Sequence, residues 1–466
     1  MKRVFIKTFG CQMNVHDSEV MAGLLIEGGY GITEDLPEAD VVLLNTCCIR
    51  QKAEEKVYSQ LGVLKGFKRR RPHLVIGVGG CMAQLEGRRL LERAPVVDFV
   101  FGTHKVFELP DILDRAIAAR GEPRLRREGS KIISIEEGGS LWGGVKPRRK
   151  SKISAYVTIM RGCDNSCSYC IVPYVRGRQK SRPSQEIVEE IEDLNSRGYK
   201  EVTLLGQNVN SYKSQLDFAD LLREVNEIKG IERIRYISSH PRDMTDKLIK
   251  VLPELSKVCE HIHLPVQSGS NRVLSRMNRG YTRESYLKIV AKLRKLIPHI
   301  SITTDIIVGF PGESEADFAD TMSLMEEVVF DGAFVFRYSP RSGTRAASMP
   351  EQVLDEIKIG RIKKIIEIQA GITRQANERL IGKTLKVLVE GPSKPDPRRL
   401  AGRSRSNKVV VFEGPSDLVG MLVPVRVAKA HTWALEGEIP VNGNHLPNDE
   451  ECCIMQETRR IKGGMG

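Results

Sequence analysis

The sequence predicts an α/β protein made of an N-terminal doubly wound parallel sheet, a central partial (β/α)6 barrel and a small C-terminal antiparallel β-barrel. Apolar runs alternate with amphipathic stretches over the first 102 residues, the alternation resumes with a longer period from residue 153, and short strands separated by turns follow residue 374. Strand–helix alternation is typical of parallel sheets, and closely spaced short strands are typical of small barrels. The expected regions are a first domain at 2–120, a linker at 121–148, a second domain at 149–378, a third at 379–442 and a flexible tail at 443–466.

Composition and charge limit the class of protein. The chain has 466 residues, of which 41% are hydrophobic, and a formal charge of +13. No apolar run reaches the length of about 18 residues that a transmembrane helix needs, and MKRVFIKTFGC lacks the apolar segment of a signal peptide. We therefore expect a cytoplasmic protein with no membrane partner. The positive charge favours an anionic partner, nucleic acid first, with a generally basic surface as the alternative.

Three cysteines of the N-terminal region each follow directly on a predicted strand. These residues are Cys11, Cys47 and Cys81. The carboxyl ends of parallel strands share one edge of an open sheet, where ligands bind, so the three thiols are expected to converge there. Three unrelated buried cysteines are the alternative, since free cysteine packs well in cores. The predicted strands are 4–10, 41–47, 74–81 and 97–102.

The central region repeats the strand–helix alternation with six candidate strands, which suits a closed or partly closed barrel. In such barrels the chemistry lies on the loops at the carboxyl ends of the strands. A glycine cluster and the basic segment KPRRKSK (146–152) precede it and read as an interdomain linker. The predicted strands are 153–160, 201–209, 234–239, 261–266, 301–309 and 332–339.

The C-terminal strands carry an excess of positive charge. Eight Lys or Arg and two acidic residues lie between 383 and 412. A basic small β-barrel is typical of RNA-binding domains of the OB type, and an ordinary β module with a basic face is the alternative. Phosphate contacts are predicted, whose loss would weaken binding without changing base choice. The candidates are Arg403, Arg405 and Lys408 in the barrel and the linker residues Lys146 to Lys150, which include Arg148 and Arg149.

A C-x3-C-x2-C run follows the first predicted barrel strand, with Cys163, Cys167 and Cys170 as its cysteines. Iron–sulfur clusters are held by cysteine thiolates, usually four, so three ligands leave one iron with an open position for a substrate. Zinc is the competing interpretation, but zinc sites usually pair a C-x2-C with a distant second pair, which this sequence lacks. Motif and context favour a [4Fe–4S] cluster that binds S-adenosylmethionine.

Motifs along most of the chain resemble those of the radical S-adenosylmethionine methylthiotransferases. The resemblance covers about residues 1–440 and includes a C-terminal TRAM domain, a small RNA-binding barrel. The motifs are TFGCQMN (8–14), NTCCIR (45–50), GGCMAQ (79–84), GCDNSCSYCIVPYVRGRQKSR (162–182), LLGQNVNSY (204–212), LPVQSGSNRVLSRMNRGY (264–281), TTDIIVGFPGE (303–313), FRYSPRSGTRAA (336–347) and GRSRSNKVVVF (402–412).

The resemblance implies two [4Fe–4S] clusters, one on each cysteine triplet, and two molecules of S-adenosylmethionine. One molecule would give the 5′-deoxyadenosyl radical that abstracts a hydrogen, and the other would donate the methyl group. The motifs are most similar to the subgroup that modifies C2 of isopentenyladenosine beside the tRNA anticodon. Threonylcarbamoyladenosine in tRNA, or an aspartate of a ribosomal protein, is the alternative target. The implied partners are the anticodon loop, an electron donor such as flavodoxin or ferredoxin, and a sulfur source. A non-catalytic Fe–S RNA-binding protein is the alternative of another class.

Candidate contacts to S-adenosylmethionine come from the same motifs. Tyr169 has the aromatic position beside the third cysteine, although core packing explains it equally well. Gln207 stands where relatives carry a glycine-glycine-glutamate strand end, and Gly309 belongs to a loop similar to the family's adenine loop. Gln267 and Asp305 are polar residues at strand ends, which are often only turn formers.

The remaining cysteines are expected to lie outside the two clusters. Cys48 departs from the family's usual small polar residue, and strand geometry turns it away from its neighbour Cys47, so we assign it to packing. Cys259 has no partner in the sequence and is interpreted as structural. No function is predicted for Cys452 and Cys453, which lie beyond the resemblance.

Overall fold

The computed structural model describes residues 1–48, 51–121 and 131–440. The chain forms two compact units, one of Met1–Val328 with Ala333–Ile365 and the other of Val329–Gly332 with the chain from Ile366 onward. The predicted tail, with Cys452 and Cys453, and residues 122–130 of the predicted linker lie outside the described residues. Within the described part, no helix is long and apolar enough to cross a membrane.

The N-terminal sheet has six strands, all paired in parallel, in the order β2-β1-β3-β4-β5-β6. Their bounds are β1 Arg3–Thr8, β2 Gly31–Thr33, β3 Val41–Thr46, β4 Val75–Gly80, β5 Phe99–Phe101 and β6 Ile132–Ser134. Each of the four predicted strands is present. The two that the sequence did not indicate, β2 and β6, are three residues long and lie at the sheet edges. β6 falls inside the predicted linker, so part of that segment belongs to the sheet.

Helices cover both faces of this sheet and make it doubly wound. Met21 and Leu25 of one helix pack with Phe99 on one face, while Leu61 and Met82 pack on the other. Full burial of such side chains contributes about 1.5–3 kcal/mol each. The helix bounds are α1 Gln12–Glu27, α2 Gln51–Arg70, α3 Cys81–Glu86, α4 Arg88–Arg93 and α5 Leu109–Gly121.

The central region contains the six predicted barrel strands in two three-stranded sheets, β11-β10-β7 and β12-β13-β14, with β11 beside β12. A short antiparallel pair, β8 with β9, flanks the cysteine motif. The strands are β7 Ser154–Thr158, β8 Met160–Arg161, β9 Lys180–Ser181, β10 Glu201–Leu205, β11 Arg233–Tyr236, β12 His261–His263, β13 Ser301–Val308 and β14 Gly332–Arg337. The helices are α6 Val172–Arg176, α7 Ser184–Ser196, α8 Phe218–Glu227, α9 Asp246–Val251, α10 Asn271–Arg276, α11 Arg283–Leu296, α12 Glu315–Val328 and α13 Asp355–Glu378.

The C-terminal strands close into a barrel in the order β15-β16-β17-β19-β18. Its interior is filled by aliphatic side chains and by Phe412, which is fully buried. The prediction of an antiparallel barrel is confirmed with one exception, the parallel pair β17–β19. The strands are β15 Thr384–Pro392, β16 Leu400–Ser404, β17 Val409–Phe412, β18 Leu422–Ala430 and β19 Leu435–Glu438.

Candidate active site

The N-terminal cysteine triplet lies at the carboxyl edge of the doubly wound sheet. Cys11 caps α1 directly after β1, Cys47 follows β3, and Cys81 is the first residue of α3 after β4. The strand order reverses between β1 and β3, which is where open α/β sheets bind their ligands. A Cβ added at Gly10, whose φ is +136°, would lie 2.6 Å from the Cβ of Cys47. Only glycine lets the β1 loop approach Cys47 this closely.

Cys48 also reaches this edge. Its buried thiol interacts with that of Cys81, and this interaction lowers the pKa of Cys81 to about 6 and raises that of Cys48. Cys48 also packs in the hydrophobic cluster beneath the sheet, as its assignment to packing predicts. The sequence argument did not foresee the contact with Cys81, because alternation along a strand says nothing about the residue that follows its end.

A buried ion network joins this edge to the central region. Asp17 of α1 accepts hydrogen bonds from Arg176 at 2.8 Å and from Arg161 at 3.2 Å. All three side chains are at most 6% exposed. Both arginines flank the C-x3-C-x2-C loop in sequence, yet sequence analysis did not single them out. Their only signal in the sequence is their nearness to the motif, since Arg161 precedes Cys163 by two residues and Arg176 follows Cys170 by six.

Removing the carboxylate of this network is expected to destabilise the fold strongly. Asp17→Asn should lower the free energy of unfolding by roughly 3–5 kcal/mol, because it leaves two buried guanidinium groups without their anion. Asp193→Asn is the matched control, since Asp193 pairs with Lys146 at an exposed site and should cost less than about 1 kcal/mol. Urea denaturation of the metal-free, full-length proteins measures both values. Equal losses would contradict this account.

The second cysteine triplet lies on the loop between β8 and α6. The backbone N–H of Asn165 donates to the Sγ of Cys163 at 3.4 Å, and Arg279 donates to the Sγ of Cys167 at 3.4 Å. Burial raises the pKa of Cys163, and raises that of Cys170 to about 12. Unligated thiols at these positions therefore stay protonated, and a bound metal would supply the charge that stabilises the thiolates.

The loop is held at its start by Gln207. The side-chain oxygen of Gln207 accepts from the backbone N–H of Gly162, whose φ is +76°. A Cβ at Gly162 would meet the carbonyl oxygen of Arg178 at 2.0 Å, so the turn into the motif requires glycine. Gln207 was predicted to contact S-adenosylmethionine; here its oxygen anchors the cysteine loop.

The other candidate contacts surround the same mouth of the barrel. Tyr169 packs edge-on against Phe310, with the ring centroids 6.3 Å apart. Asp305 points toward His263, whose Nε2 lies 3.4 Å from its carboxylate. Gly309 has a φ of +70° and donates its N–H to a buried glutamate at 2.9 Å. The packing role of Tyr169 is thus visible, and it is compatible with an exposed edge for a ligand.

Five buried polar atoms without protein partners lie at the mouth of the barrel. Each follows the carboxyl end of a barrel strand: β10, β11, β12 or β14. Buried polar groups are nearly always hydrogen-bonded, so several orphans at one edge indicate a missing polar ligand. S-adenosylmethionine, with its amino, carboxylate, ribose and adenine groups, suits such a lining. The atoms are Asn208 Oδ1, Ser239 Oγ, His240 Nε2, Gln267 Oε1 and Tyr338 OH.

His240 is one of these five residues, and its surroundings determine its protonation state. Its Nδ1 accepts from the backbone N–H of Arg242 at 3.2 Å, and burial lowers its pKa to about 2. The ring is therefore neutral, with the proton on the unpartnered Nε2 as a donor to a ligand. Of the five orphans only Gln267 was predicted; its backbone φ of +71° is a strained conformation for a residue with a side chain.

Both donor sets consist of thiols, which suits iron–sulfur clusters. Among residues 1–48, 51–121 and 131–440, no group of three or more His, Cys, Asp or Glu is gathered closely enough to hold one metal ion. Each cysteine triplet is collected on one loop or one sheet edge and has a buried arginine beside it, Arg176 or Arg279. Cationic donors next to thiolates suit an anionic cluster.

The predicted phosphate contacts divide into exposed and buried residues. The guanidinium of Arg149 is only 2% exposed and pairs with Glu190, so the structure does not support a phosphate contact there. Arg148 is exposed, and its backbone N–H donates a hydrogen bond to the carbonyl oxygen of Glu19 at 2.9 Å. In the C-terminal barrel, Arg403 pairs with Glu390 at 3.2 Å. A phosphate would have to compete with that partner.

Two further candidates lie in the same barrel. Lys408 pairs with Asp331 at 2.9 Å and is 12% exposed, and Arg405 is half-buried. An exposed aromatic that sequence analysis missed, Trp433, is 65% exposed. It lies in the loop before β19, and Leu435 of that strand pairs with Val410 of β17. Exposed aromatics in small basic barrels are stacking platforms for bases.

Comparison with known proteins agrees with this geometry. Residues 3–102 match the family described as Uncharacterized protein family UPF0004, residues 157–325 match the radical SAM superfamily, and residues 378–439 match the TRAM domain. A tRNA-2-methylthio-N(6)-dimethylallyladenosine synthase of Clostridium novyi is 51% identical over 94% of this chain and 96% of its own length. The chain belongs to that synthase family. A synthase of Moorella thermoacetica is likewise 51% identical, over 93% of this chain and 97% of its own.

Solved structures share the fold at low sequence identity. The cobalamin-bound radical S-adenosylmethionine methyltransferase TsrM of Kitasatospora setae, which carries a [4Fe-4S] cluster, has a TM-score of 0.54 at 14% identity, over 74% of each chain. The cobalamin-dependent radical enzyme OxsB has a TM-score of 0.52 at 13% identity, covering 79% of this chain and 56% of its own. At these identities the likeness concerns the fold alone.

Proposed function

We propose that this protein methylthiolates C2 of N6-isopentenyladenosine beside the tRNA anticodon, using two [4Fe–4S] clusters and S-adenosylmethionine. The observation that carries the proposal is the near full-length identity of about half with synthases named for that product. The active-site geometry supports it, because both cysteine triplets and the orphaned polar atoms lie in one compact unit.

The chain's own residues have distinct roles in this proposal. Cys163, Cys167 and Cys170 would hold the radical cluster, which would supply the binding and reductive cleavage of S-adenosylmethionine. The lining atoms at the strand ends orient that molecule, with Tyr169 at its adenine and Gln267 on its polar groups. The neutral His240 donates from Nε2. Burial of Cys47, Cys81 and Cys163 limits the access of water to the reacting centre.

Cys11, Cys47 and Cys81 would hold the auxiliary cluster at the sheet edge. When bound, the two clusters and S-adenosylmethionine supply the electron, the radical, the sulfur and the methyl group. No acid–base triad is assigned to this route. Asp305, paired with His263, and Gly309 shape the chamber wall rather than transfer protons.

The tRNA is bound through charge and stacking. Arg148, Arg403, Arg405 and Lys408 meet phosphates, and Trp433 stacks on an unpaired base. The target adenosine has to leave its stack, which costs a few kcal/mol and is easiest in a loop such as the anticodon loop. An electron donor such as flavodoxin or ferredoxin and a source of sulfur complete the requirements, and the cytoplasm provides all of them.

Nucleoside mass spectrometry tests the substrate. Deleting the gene should remove 2-methylthio-N6-isopentenyladenosine from total tRNA and leave N6-isopentenyladenosine in its place, because the methylthiolation step alone is lost. A plasmid copy of the wild-type gene should restore the product. Persistence of the methylthio form would contradict the proposal. Loss of methylthiolated threonylcarbamoyladenosine, or of a methylthiolated ribosomal-protein aspartate, would instead identify one of the other targets.

A separate assay addresses the non-catalytic alternative. Reconstituted protein given dithionite and S-adenosylmethionine should form 5′-deoxyadenosine, since the open iron of the radical cluster is the site of that cleavage. Protein that binds iron and RNA but yields no 5′-deoxyadenosine would be an Fe–S RNA-binding protein. The two assays together separate the wrong substrate from the absence of chemistry.

A further inference from the structure

Arg176 links the two cysteine triplets. It is the last residue of α6, the helix that follows Cys170 on the radical loop, and it is 6% exposed. α6 packs against α3, which begins at Cys81. The guanidinium of Arg176 donates to the Asp17 carboxylate at 2.8 Å and lies within electrostatic range of the Cys81 thiol. A charged side chain carried by one triplet's loop therefore lies near a cysteine of the other triplet.

The charges around Arg176 do not cancel among protein groups. Arg176 and Arg161 share the single carboxylate of Asp17, which leaves one positive charge in excess at a buried site. The nearby imidazole of His16 adds none, because burial lowers its pKa to about 4. A buried ion without a counter-ion costs several kcal/mol. The negative charge that balances this site therefore has to come from the cysteine thiolates of the auxiliary site.

We propose that Arg176 is a positioning residue for the auxiliary cluster and that its uncompensated positive charge raises the reduction potential of that cluster. The proposal rests on the assignment of that cluster to Cys11, Cys47 and Cys81. A nearby cation favours the more negative, reduced state of a cluster. Because Arg176 is anchored to α6, this tuning is set by the loop that holds the radical cluster.

Electrochemistry on the isolated auxiliary cluster tests the inference. The full-length background C163A/C167A/C170A removes the radical cluster, so redox titration followed by electron paramagnetic resonance reports one cluster. Arg176→Gln in this background should shift the midpoint potential to a more negative value, and Arg176→Lys should shift it less. Asp17→Asn should shift it to a more positive value, because it removes a negative charge from the same network.

Opposite shifts are the result a merely structural role would not give. Arg235→Gln is the matched control, a buried arginine that pairs with Glu201 at 2.8 Å and should leave the potential unchanged. No shift for Arg176→Gln, or shifts of the same sign for it and Asp17→Asn, would overturn the inference. If Arg176→Gln retains no cluster, Asp17→Asn decides alone by the sign of its shift. A triple-alanine background that binds no iron at all would instead contradict the two-cluster function.

Discussion

Replacing Cys167 by alanine is expected to abolish 5′-deoxyadenosine formation, with a fall of at least about 1,000-fold below wild type. The reason is that a [4Fe–4S] cluster with only two remaining thiolates cannot keep a stable open iron for S-adenosylmethionine. Iron after anaerobic reconstitution should fall from about eight to about four per chain, since the auxiliary cluster remains. Liquid chromatography of the nucleoside and colorimetric iron determination measure the two effects.

Cys259→Ala is the control for this experiment. Cys259 is buried, at 5% exposed, but it precedes β12 and lies outside both triplets. It should retain about eight irons and wild-type nucleoside formation. Unchanged 5′-deoxyadenosine formation by Cys167→Ala, or equal loss in both variants, would remove the assignment of the radical cluster.

Replacing Cys81 by alanine is expected to separate the two halves of the reaction. 5′-Deoxyadenosine formation should continue, because the radical triplet is intact. The methylthiolated nucleoside should fall below detection, because the sulfur-bearing cluster is lost. Iron should again fall from about eight to about four. The assay is product analysis on an anticodon stem-loop RNA carrying isopentenyladenosine.

Cys48→Ala distinguishes the ligand from its neighbour. Its thiol interacts with that of Cys81 but is assigned to packing, so the variant should keep its iron and its product, with a modest loss of stability from the cavity. Loss of four irons in Cys48→Ala, with retention in Cys47→Ala, would mean that the two adjacent cysteines exchange roles.

The sequence predicted the scaffold of the site well, because apolar runs show where strands end. Cys11, Cys47 and Cys81 each follow an apolar run, and parallel topology then brings such positions to one edge whatever the intervening residues are. The C-x3-C-x2-C spacing is equally local. Short edge strands such as β2 and β6 were missed, since three residues carry too little periodicity to stand out.

Long-range polar contacts could not be predicted in this way. Nothing in the sequence couples Asp17 to Arg161 or Arg176, which lie 144 and 159 positions away. The same limit affected Arg149: its basic segment resembles an RNA-binding linker, but a partner on α7 draws the side chain inward. The orphaned atoms Ser239 and Tyr338 likewise gain meaning only when the strands are assembled.

The network centred on Asp17 has a consequence for how this enzyme can be divided. The regions that match separate families, 3–102 and 157–325, exchange charge partners across their boundary. Cutting the polypeptide between them would leave two guanidinium groups on one fragment and their carboxylate on the other. Neither half is therefore an independent folding unit. Exchanging the first region for that of a relative requires that the replacement carry an acidic residue at the position of Asp17.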